Sequence, residues 1–319
     1  MQTLLAPTVI AFIIAIIIGP VAIPILQKLK FGQIIRNDGP ESHLSKQGTP
    51  TMGGVLIIFS VTATCLILIR DYDPHVFMAF VTFIGFGFIG FIDDALIIKR
   101  KQSLGLKAWQ KTVLQLLLST VIALYTYQHI GTKILVPFTE NEWDIGFWII
   151  PMVIFVLVAA SNSVNLTDGL DGLASGVSLV FFATFTLIFA GGIVPSGNNL
   201  VTISGALAGG CLGFIFFNRY PAKIFMGDTG SLALGGMVAY MCIVSKTMLW
   251  LPIMGIMIVL SSVSVIIQVV SFKLTGKRVF KMAPLHHHFE QKGYHETTIV
   301  VMYIIISLIF CMIGLMAFN

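Results

Sequence analysis

The sequence predicts an all-α integral membrane protein with about ten transmembrane helices, and three observations carry this prediction. Hydrophobic residues make up 56% of the 319 residues and charged residues only 10%, whereas a soluble domain carries about 25% charge. The mean hydropathy is +0.94. The apolar residues also gather in stretches near the roughly 20 residues that a helix needs to span a bilayer. The composition therefore excludes a soluble globular domain.

Ten spans are predicted, with polar connections between them. No internal repeat or linker divides the chain, so residues 1–319 are expected to form a single polytopic membrane domain. The N-terminal apolar run lacks the basic segment and cleavage site of a signal peptide, so it is expected to be a retained first span. The predicted spans cover residues 3–27, 53–70, 76–93, 109–128, 146–164, 173–192, 199–217, 231–246, 249–272 and 297–318.

The distribution of basic residues predicts the orientation of the spans. With the N-terminus outside, 16 of the 19 Lys and Arg residues fall on inner connections, and only Arg70, Lys133 and Lys246 fall outside. Both termini are then extracytoplasmic. The net charge is +5, but the basic residues are scattered among the connections. They are therefore expected to set the orientation of the spans and to bind an anionic substrate, and no nucleic-acid partner is expected. The outer connection 129–145 is expected to be a surface loop or small hairpin.

Acidic residues gather in the inner connections, around the segment NLTDGLDG at 165–172. Asp93 and Asp94 are expected to end span three, where the macrodipole at a helix C-terminus disfavours an anion by about 0.3–1 kcal/mol. Asp171 and Asp228 precede spans six and eight, and each could alone be a helix cap. Five acids on one membrane face, with Asp168 as the fifth, are hard to explain by capping.

Clustered carboxylates, lysines and glycine-rich turns indicate phosphoryl transfer. Carboxylates hold Mg²⁺, lysines screen phosphate oxygens, and glycines let backbone N–H groups approach a pyrophosphate. Lys46, in KQGTPTMGG at 46–54, and Lys111, near the start of span four, are suitable cations, although each could equally be a topology lysine. These residues predict an enzyme that acts on a nucleotide-type diphosphate at the cytoplasmic surface, with a second substrate arriving from the lipid.

Small and polar residues inside the spans have structural interpretations. The GxxxGxxxG pattern at Gly205, Gly209 and Gly213 predicts close helix packing. Four isolated cysteines predict packed apolar side chains without a disulfide or a zinc site. The polar face of span nine is explained equally well by interhelical hydrogen bonds and by a groove for lipid phosphate, and its members are Ser261, Ser264, Gln268 and Ser271.

Three adjacent histidines, His286, His287 and His288, lie in a basic inner connection. Consecutive side chains on a short segment cannot easily converge on one ion, and the spacing matches no zinc pattern. A structural role in the loop and contact with the substrate are both left open.

Four ordered motifs resemble those of the polyprenyl-phosphate N-acetylhexosamine-1-phosphate transferases, and the match covers essentially the whole chain. The resemblance implies transfer from UDP-N-acetylmuramoyl-pentapeptide to undecaprenyl phosphate. The products would be lipid I and UMP, the cofactor Mg²⁺, and the location the plasma membrane of a bacterium, with the active site on cytoplasmic loops. The motifs are Asp93-Asp94, the segment 165–172, Phe225-Met-Gly-Asp228 and Pro284-Leu-His-His-His-Phe289, with Thr49-Pro-Thr-Met-Gly-Gly54 as a further match.

The same resemblance implies roles for individual residues. Asp228 is similar to the family's metal ligand, and Asp93 and Asp94 to its catalytic pair; Lys111 is placed with these catalytic candidates. Phe225 could supply a ring for uracil to stack on, although without the resemblance it would be interpreted as a lipid-facing aromatic. The candidate substrate-binding residues are Lys46, Thr51, Asn165, Asp168, Asp171, Phe225, Gly227, His286, His287 and His288.

Other functions predict different patterns. A transporter of anionic solutes would place ionisable residues near the bilayer midplane, with broken helices and paired repeats, whereas these acids lie at span ends. A membrane scaffold would need no acids. A sister enzyme that transfers N-acetylglucosamine 1-phosphate would share the acids but not the three histidines. The oligomeric state is left open, with a homodimer as one alternative.

Overall fold

The computed structural model of this chain describes residues 2–28, 48–100, 105–139, 141–192 and 198–316. A single short hairpin interrupts the helices of these segments; its strands are β1 (Lys133–Leu135) and β2 (Glu142–Asp144). In chain order the helices are α1 (Gln2–Lys28), α2 (Gly54–Leu68), α3 (Pro74–Arg100), α4 (Ala108–Tyr125), α5 (Ile149–Thr167), α6 (Leu173–Ala190), α7 (Asn198–Asn218), α8 (Gly227–Val244), α9 (Leu251–Met254), α10 (Ile256–Thr275), α11 (Leu285–Glu290) and α12 (Glu296–Met316).

Within the described segments nine helices are long and apolar enough to cross a membrane, which confirms an all-α multi-pass protein. The predicted span 53–70 corresponds to the shorter apolar helix α2. Its 15 residues extend about 22 Å at roughly 1.5 Å per residue, less than the roughly 30 Å of a bilayer core. Contacts lie beside both of its ends: Gly54 N–H donates to the Met226 carbonyl at 2.9 Å, and the carbonyl of Asp71, in the connection after α2, accepts from Asn199 at 2.9 Å. Since Asn199 lies in the first turn of α7 and Met226 directly precedes α8, α2 connects the two ends of the bundle.

The connections opposite the acids form what we call the hairpin end. Here the N–H of Leu135 in β1 donates to the carbonyl of Lys246 at 2.8 Å, and Lys133 pairs with Asp144 across the antiparallel strands. Of the two alternatives predicted for 129–145, a surface loop or a small hairpin, the structure has the hairpin. Arg70, Lys133 and Lys246, the three basic residues predicted to lie outside, belong to connections at this one end.

Close packing of α1 against α7 depends on the predicted glycine pattern. A Cβ on Gly209 would overlap the backbone of Thr8, and one on Gly213 would lie 2.5 Å from the Cβ of Ala15. The two backbones therefore touch, and the predicted packing role is confirmed. The four cysteines are buried and unbridged, also as predicted.

Helix α8 is the centre of the bundle. Its residues from Thr229 to Val244 are all buried, so it has no lipid-facing side. It begins at Gly227, four residues before the predicted span, which places Asp228 in its first turn. The charged start of the most buried helix is thus surrounded by neighbouring helices.

Helix α3 ends later than predicted. It continues to Arg100, so Asp93 and Asp94 lie within the helix, and the argument from an unfavourable dipole at a helix C-terminus was wrong. The helix can carry both carboxylates because each accepts hydrogen bonds from another element. The remaining difference is a break at Gly255, which divides span nine into α9 and α10.

Candidate active site

Asp228 is the point at which helices α4, α5 and α8 meet. The Lys111 ammonium on α4 forms an ion pair with Oδ2 of Asp228, and the side-chain amide of Asn165 on α5 donates to Oδ1 at 2.7 Å. Asn165 also donates to the hydroxyl of Ser231, one turn further along α8, at 2.9 Å. Both oxygens of Asp228 are thus bound, while its side chain keeps 22% of its exposure.

Asp94 binds the N-terminus of α8 from the neighbouring helix α3. Its Oδ2 accepts from the backbone N–H of Thr229 at 2.9 Å and from the Thr229 hydroxyl at 2.6 Å, while Oδ1 accepts from the N–H of Asp228 at 3.2 Å. The residue before α8, Met226, supplies no side-chain cap of its own. Gly90 allows this approach, because a Cβ there would overlap the carbonyl of Asp228.

Asp93 faces a different set of groups. Its Oδ1 accepts from the N–H of Leu106 at 2.9 Å, and Gly105 lies so close that a Cβ would be 2.9 Å from Oδ2. The carboxylate also lies near enough to Asp228 and Lys111 to interact with both electrostatically. Gly105 and Leu106, just before α4, therefore lie over Asp93, and the two adjacent aspartates have separate partners.

The segment 165–172 is tied to the α7–α8 loop. Asp168 directly follows α5, and its N–H donates to the carbonyl of Val164 at 3.1 Å. Asp171 accepts the N–H of Ala222 at 2.9 Å, and its own N–H donates to Glu296 at 2.5 Å. Asp171 therefore holds two loops together, whatever else it binds.

Asn218 belongs to the same junction, and the sequence analysis missed it. Its Oδ1 accepts the N–H of Gly172 at 2.9 Å, and its Nδ2 donates to the carbonyl of Ile224 at 2.9 Å. The side chain is 2% exposed. The available signal was a single Asn at the end of an otherwise apolar span, where a buried amide needs partners.

Three further candidates lie beside the start of α8. Phe225 is half-buried, and its backbone pairs with the segment 50–53: its N–H donates to Pro50 and its carbonyl accepts from Gly53, both at 2.8 Å. Gly227 has φ +72°, and a Cβ there would lie 2.7 Å from Asp94 and 2.9 Å from the Thr51 hydroxyl. The structure thus brings Thr51, Phe225 and Gly227 to the acids. Lys46 lies outside the described residues.

The rings of His286 and His287 are in contact, with 4.3 Å between their centroids, whereas His288 lies against Phe280. His286 is fully buried, and its ring lies against Gly169 and, at 6.3 Å between centroids, Tyr303. His287 Nδ1 lies 2.9 Å from Glu290 on the same helix. His288 Nδ1 accepts the N–H of Lys281 at 3.1 Å. That the three side chains do not converge on one ion stays a prediction.

Charge around His288 affects its protonation. Partial burial, together with the positive charges of Lys292 and Lys281, lowers the pKa of His288 below its ordinary value of 6.5. His288 is therefore neutral at neutral pH, in keeping with its role as a hydrogen-bond acceptor.

The polar face of α10 binds the loop that leads to the histidines. Gln268 Oε1 accepts from Val279 at 3.1 Å and from Phe280 at 2.9 Å, and the Ser264 hydroxyl accepts from Leu285 at 3.0 Å. Ser261 instead receives the Thr167 hydroxyl of α5 at 2.9 Å. Hydrogen bonds to the loop and to α5 therefore account for these three side chains.

No group of three or more His, Cys, Asp or Glu side chains is arranged to hold a metal within the segments that the structure describes. This is compatible with Mg²⁺, which is usually held by one or two carboxylates together with water and substrate phosphates. Asp228 already accepts a cation, the Lys111 ammonium, and Asp93 and Asp94 lie near it. The oxygen donors around Asp228 therefore fit Mg²⁺.

Comparison with known proteins places the chain among similar sequences. Residues 76–246 match the model of glycosyl transferase family 4, and residues 46–58 match signature 1 of phospho-N-acetylmuramoyl-pentapeptide-transferase. Several relatives carry the name phospho-N-acetylmuramoyl-pentapeptide-transferase, among them three from species of Clostridium. The one from Clostridium kluyveri is 47% identical, with 99% of this chain and 100% of the relative covered. That from Clostridium botulinum strain Alaska E43 is 48% identical, covering 99% and 96%, and that from Clostridium perfringens strain 13 is 49% identical, covering 96% of each.

Proposed function

We propose an activity from the premise that this chain belongs to the phospho-N-acetylmuramoyl-pentapeptide-transferase family. It transfers phospho-N-acetylmuramoyl-pentapeptide from its UDP derivative to undecaprenyl phosphate, giving lipid I and UMP. This is the first membrane step of peptidoglycan synthesis. The protein lies in the plasma membrane of a bacterium. Its active site is at the acidic end of the bundle, on the cytoplasmic side.

One observation carries the proposal beyond the family name: Asp93, Asp94, Lys111, Asn165 and Asp228 converge from four helices at one end of a membrane bundle. The UDP-sugar is soluble and charged, whereas the polyprenyl phosphate has its phosphate at the membrane interface. A site at the end of the spans is reached by both substrates.

Asp228, with Asp93 beside it, would hold Mg²⁺, and the ion would neutralise charge on the pyrophosphate. Lys111 and Asp94 have different roles. The Lys111 ammonium binds the phosphate oxygens of the substrate once it leaves Asp228. Asp94 has both oxygens on α8 and acts by placing Asp228.

The chemical step is an in-line displacement at the β-phosphorus of the UDP-sugar. An oxygen of undecaprenyl phosphate forms the new P–O bond, the bond to the bridging oxygen breaks, and UMP leaves with the electron pair. Asp93 positions the lipid phosphate or accepts its remaining proton. The uridine is bound around the 165–172 segment and the start of α8 by Thr51, Asn165, Asp168, Asp171, Phe225 and Gly227, and also by Lys46, which lies outside the described residues. His286, His287 and His288 act toward the rest of the substrate.

The test uses purified protein in lipid nanodiscs with radiolabelled UDP-N-acetylmuramoyl-pentapeptide and undecaprenyl phosphate. Label should pass into a butanol-extractable lipid while UMP is released in equal amount. Label that enters the lipid only from UDP-N-acetylglucosamine would identify the sister activity instead. Uptake of an anionic solute into vesicles without release of UMP would indicate a transporter.

A further inference from the structure

Gln115 is a polar side chain buried within the membrane-spanning part of α4. It is 1% exposed, and both ends of its amide bind α5. Its Oε1 accepts from the side-chain amide of Asn162 at 3.0 Å, and its Nε2 donates to the Ser161 hydroxyl at 3.4 Å. A buried amide is unfavourable unless it is hydrogen-bonded, and these two contacts satisfy it.

The amide lies one helical turn from the candidate active site. Gln115 follows Lys111 by four residues, and Ser161 precedes Asn165 by four, so each pair lies on one face of its helix. On the other side of α5, a Cβ on Gly235 of α8 would be 2.5 Å from the Cα of Ser161. Helices α4, α5 and α8 are therefore held together at two successive levels, one at Asp228 and one at Gln115.

One side of α4 faces away from the other helices. Its exposed face includes Leu116, Leu117, Val121 and Leu124, which keep between 41% and 63% of their exposure. Lipid chains are as apolar as leucine, so burial of leucine does not distinguish a helix contact from a lipid contact. The rotation and height of α4 therefore depend on specific polar contacts.

We infer that Gln115 is a positioning residue for Lys111: its amide fixes α4 against α5 so that the ammonium meets Asp228. The inference rests on the proposed function, in which Lys111 and Asp228 act on the substrate. A one-residue slip would turn α4 by about 100° and carry Lys111 away from Asp228.

The test compares three variants in nanodiscs, with kcat and KM from UMP release and Tm from thermal unfolding. Gln115→Met keeps length and burial but loses both hydrogen bonds. The exchange variant Gln115→Asn with Asn162→Gln keeps an amide pair between the same backbones. Ser119→Ala is the matched control, one turn further along the same face, because the Ser119 hydroxyl has no hydrogen-bond partner among the described residues.

Gln115→Met should lose about 10- to 100-fold in kcat, as expected for a misplaced catalytic group, with KM for the UDP-sugar almost unchanged. The exchange variant should recover most of that kcat, and Ser119→Ala should match the wild type. A wild-type kcat in Gln115→Met, or an equal loss in the exchange variant, would overturn the inference.

Folding failures also decide the question. If Gln115→Met does not fold, a folded exchange variant with near wild-type kcat supports positioning, and a folded but inactive one overturns it. If neither folds, the amide is structural and the inference is overturned. A wild-type protein that releases no UMP would instead overturn the proposed function itself.

Discussion

Asp94 on α3 binds Thr229 on α8 twice, through the backbone N–H at 2.9 Å and the hydroxyl at 2.6 Å, both on Oδ2. A carboxylate from one helix thus caps the start of another, where the macrodipole also favours a negative charge. The contact fixes the first turn of α8, which carries Asp228. It separates the role of Asp94 from that of Asp93, although the two are adjacent in the chain.

Asp94→Ala should lower stability and activity together. One buried backbone N–H group, one half-buried N–H group and one buried hydroxyl would lose their acceptor, and each buried group left unsatisfied costs about 1–3 kcal/mol. Thermal unfolding and UMP release in nanodiscs measure both effects. Thr229→Val, which removes only the hydroxyl contact, is the control and should lose less; an Asp94→Ala protein with wild-type Tm would contradict the capping role.

Asp228→Asn should nearly abolish turnover and leave the fold intact, because the amide keeps the shape but lacks the charge that a divalent cation requires. Ser231→Ala, which removes one partner of Asn165, is the matched control and should retain most activity. Treatment with EDTA should stop the wild-type reaction and added Mg²⁺ should restore it. Near-normal turnover in folded Asp228→Asn would show that Asp228 only pairs with Lys111 and does not bind the metal.

Asp93→Asn distinguishes proton transfer from positioning through the dependence of its rate on pH. The second pKa of a phosphate monoester is near 6, so the lipid phosphate is mostly dianionic at neutral pH. If Asp93 is a general base, the variant should lose most of its rate below that pKa and recover above it. If Asp93 positions the nucleophile or the metal, the loss should be nearly constant with pH. Family resemblance favours the general base, and full activity at pH 6 would exclude both roles.

Replacement of His286, His287 and His288 by Ala should reduce activity strongly without changing the Mg²⁺ concentration that gives half-maximal rate, because none of the three is a proposed metal ligand. The His286→Ala single variant should carry most of the loss in Tm, since that ring is fully buried. An unchanged rate with the natural substrate in the triple variant would refute a substrate role.

A reporter active only in the cytoplasm should give no signal when fused after Asn319. Helix α12 begins at Glu296, beside Asp171, and runs toward the hairpin end, so its last residue, Met316, and the acids lie at opposite ends of the bundle. A fusion after Gly276, at the end of α10, is the control and should give a signal. A strong signal at Asn319 would reverse the proposed orientation.

Local information was enough for the spans and the chemical class. Span length, apolar composition and the placement of Lys and Arg are properties of contiguous residues, so the nine long helices and the small hairpin were predictable. The motif acids were recognisable as well, because their residue types and order carry the family resemblance.

Contacts between distant residues decided the rest. Asp94 and Thr229 are 135 positions apart, and Gln115 and Asn162 are 47 apart, so no local pattern reveals that one caps a helix and the other joins two. The same reason explains the error over Asp93 and Asp94: the helix continues past them because their hydrogen-bond donors come from Leu106, Asp228 and Thr229. Which carboxylate faces the substrate and which holds a helix is settled only when the helices pack, since that packing sets where each donor lies.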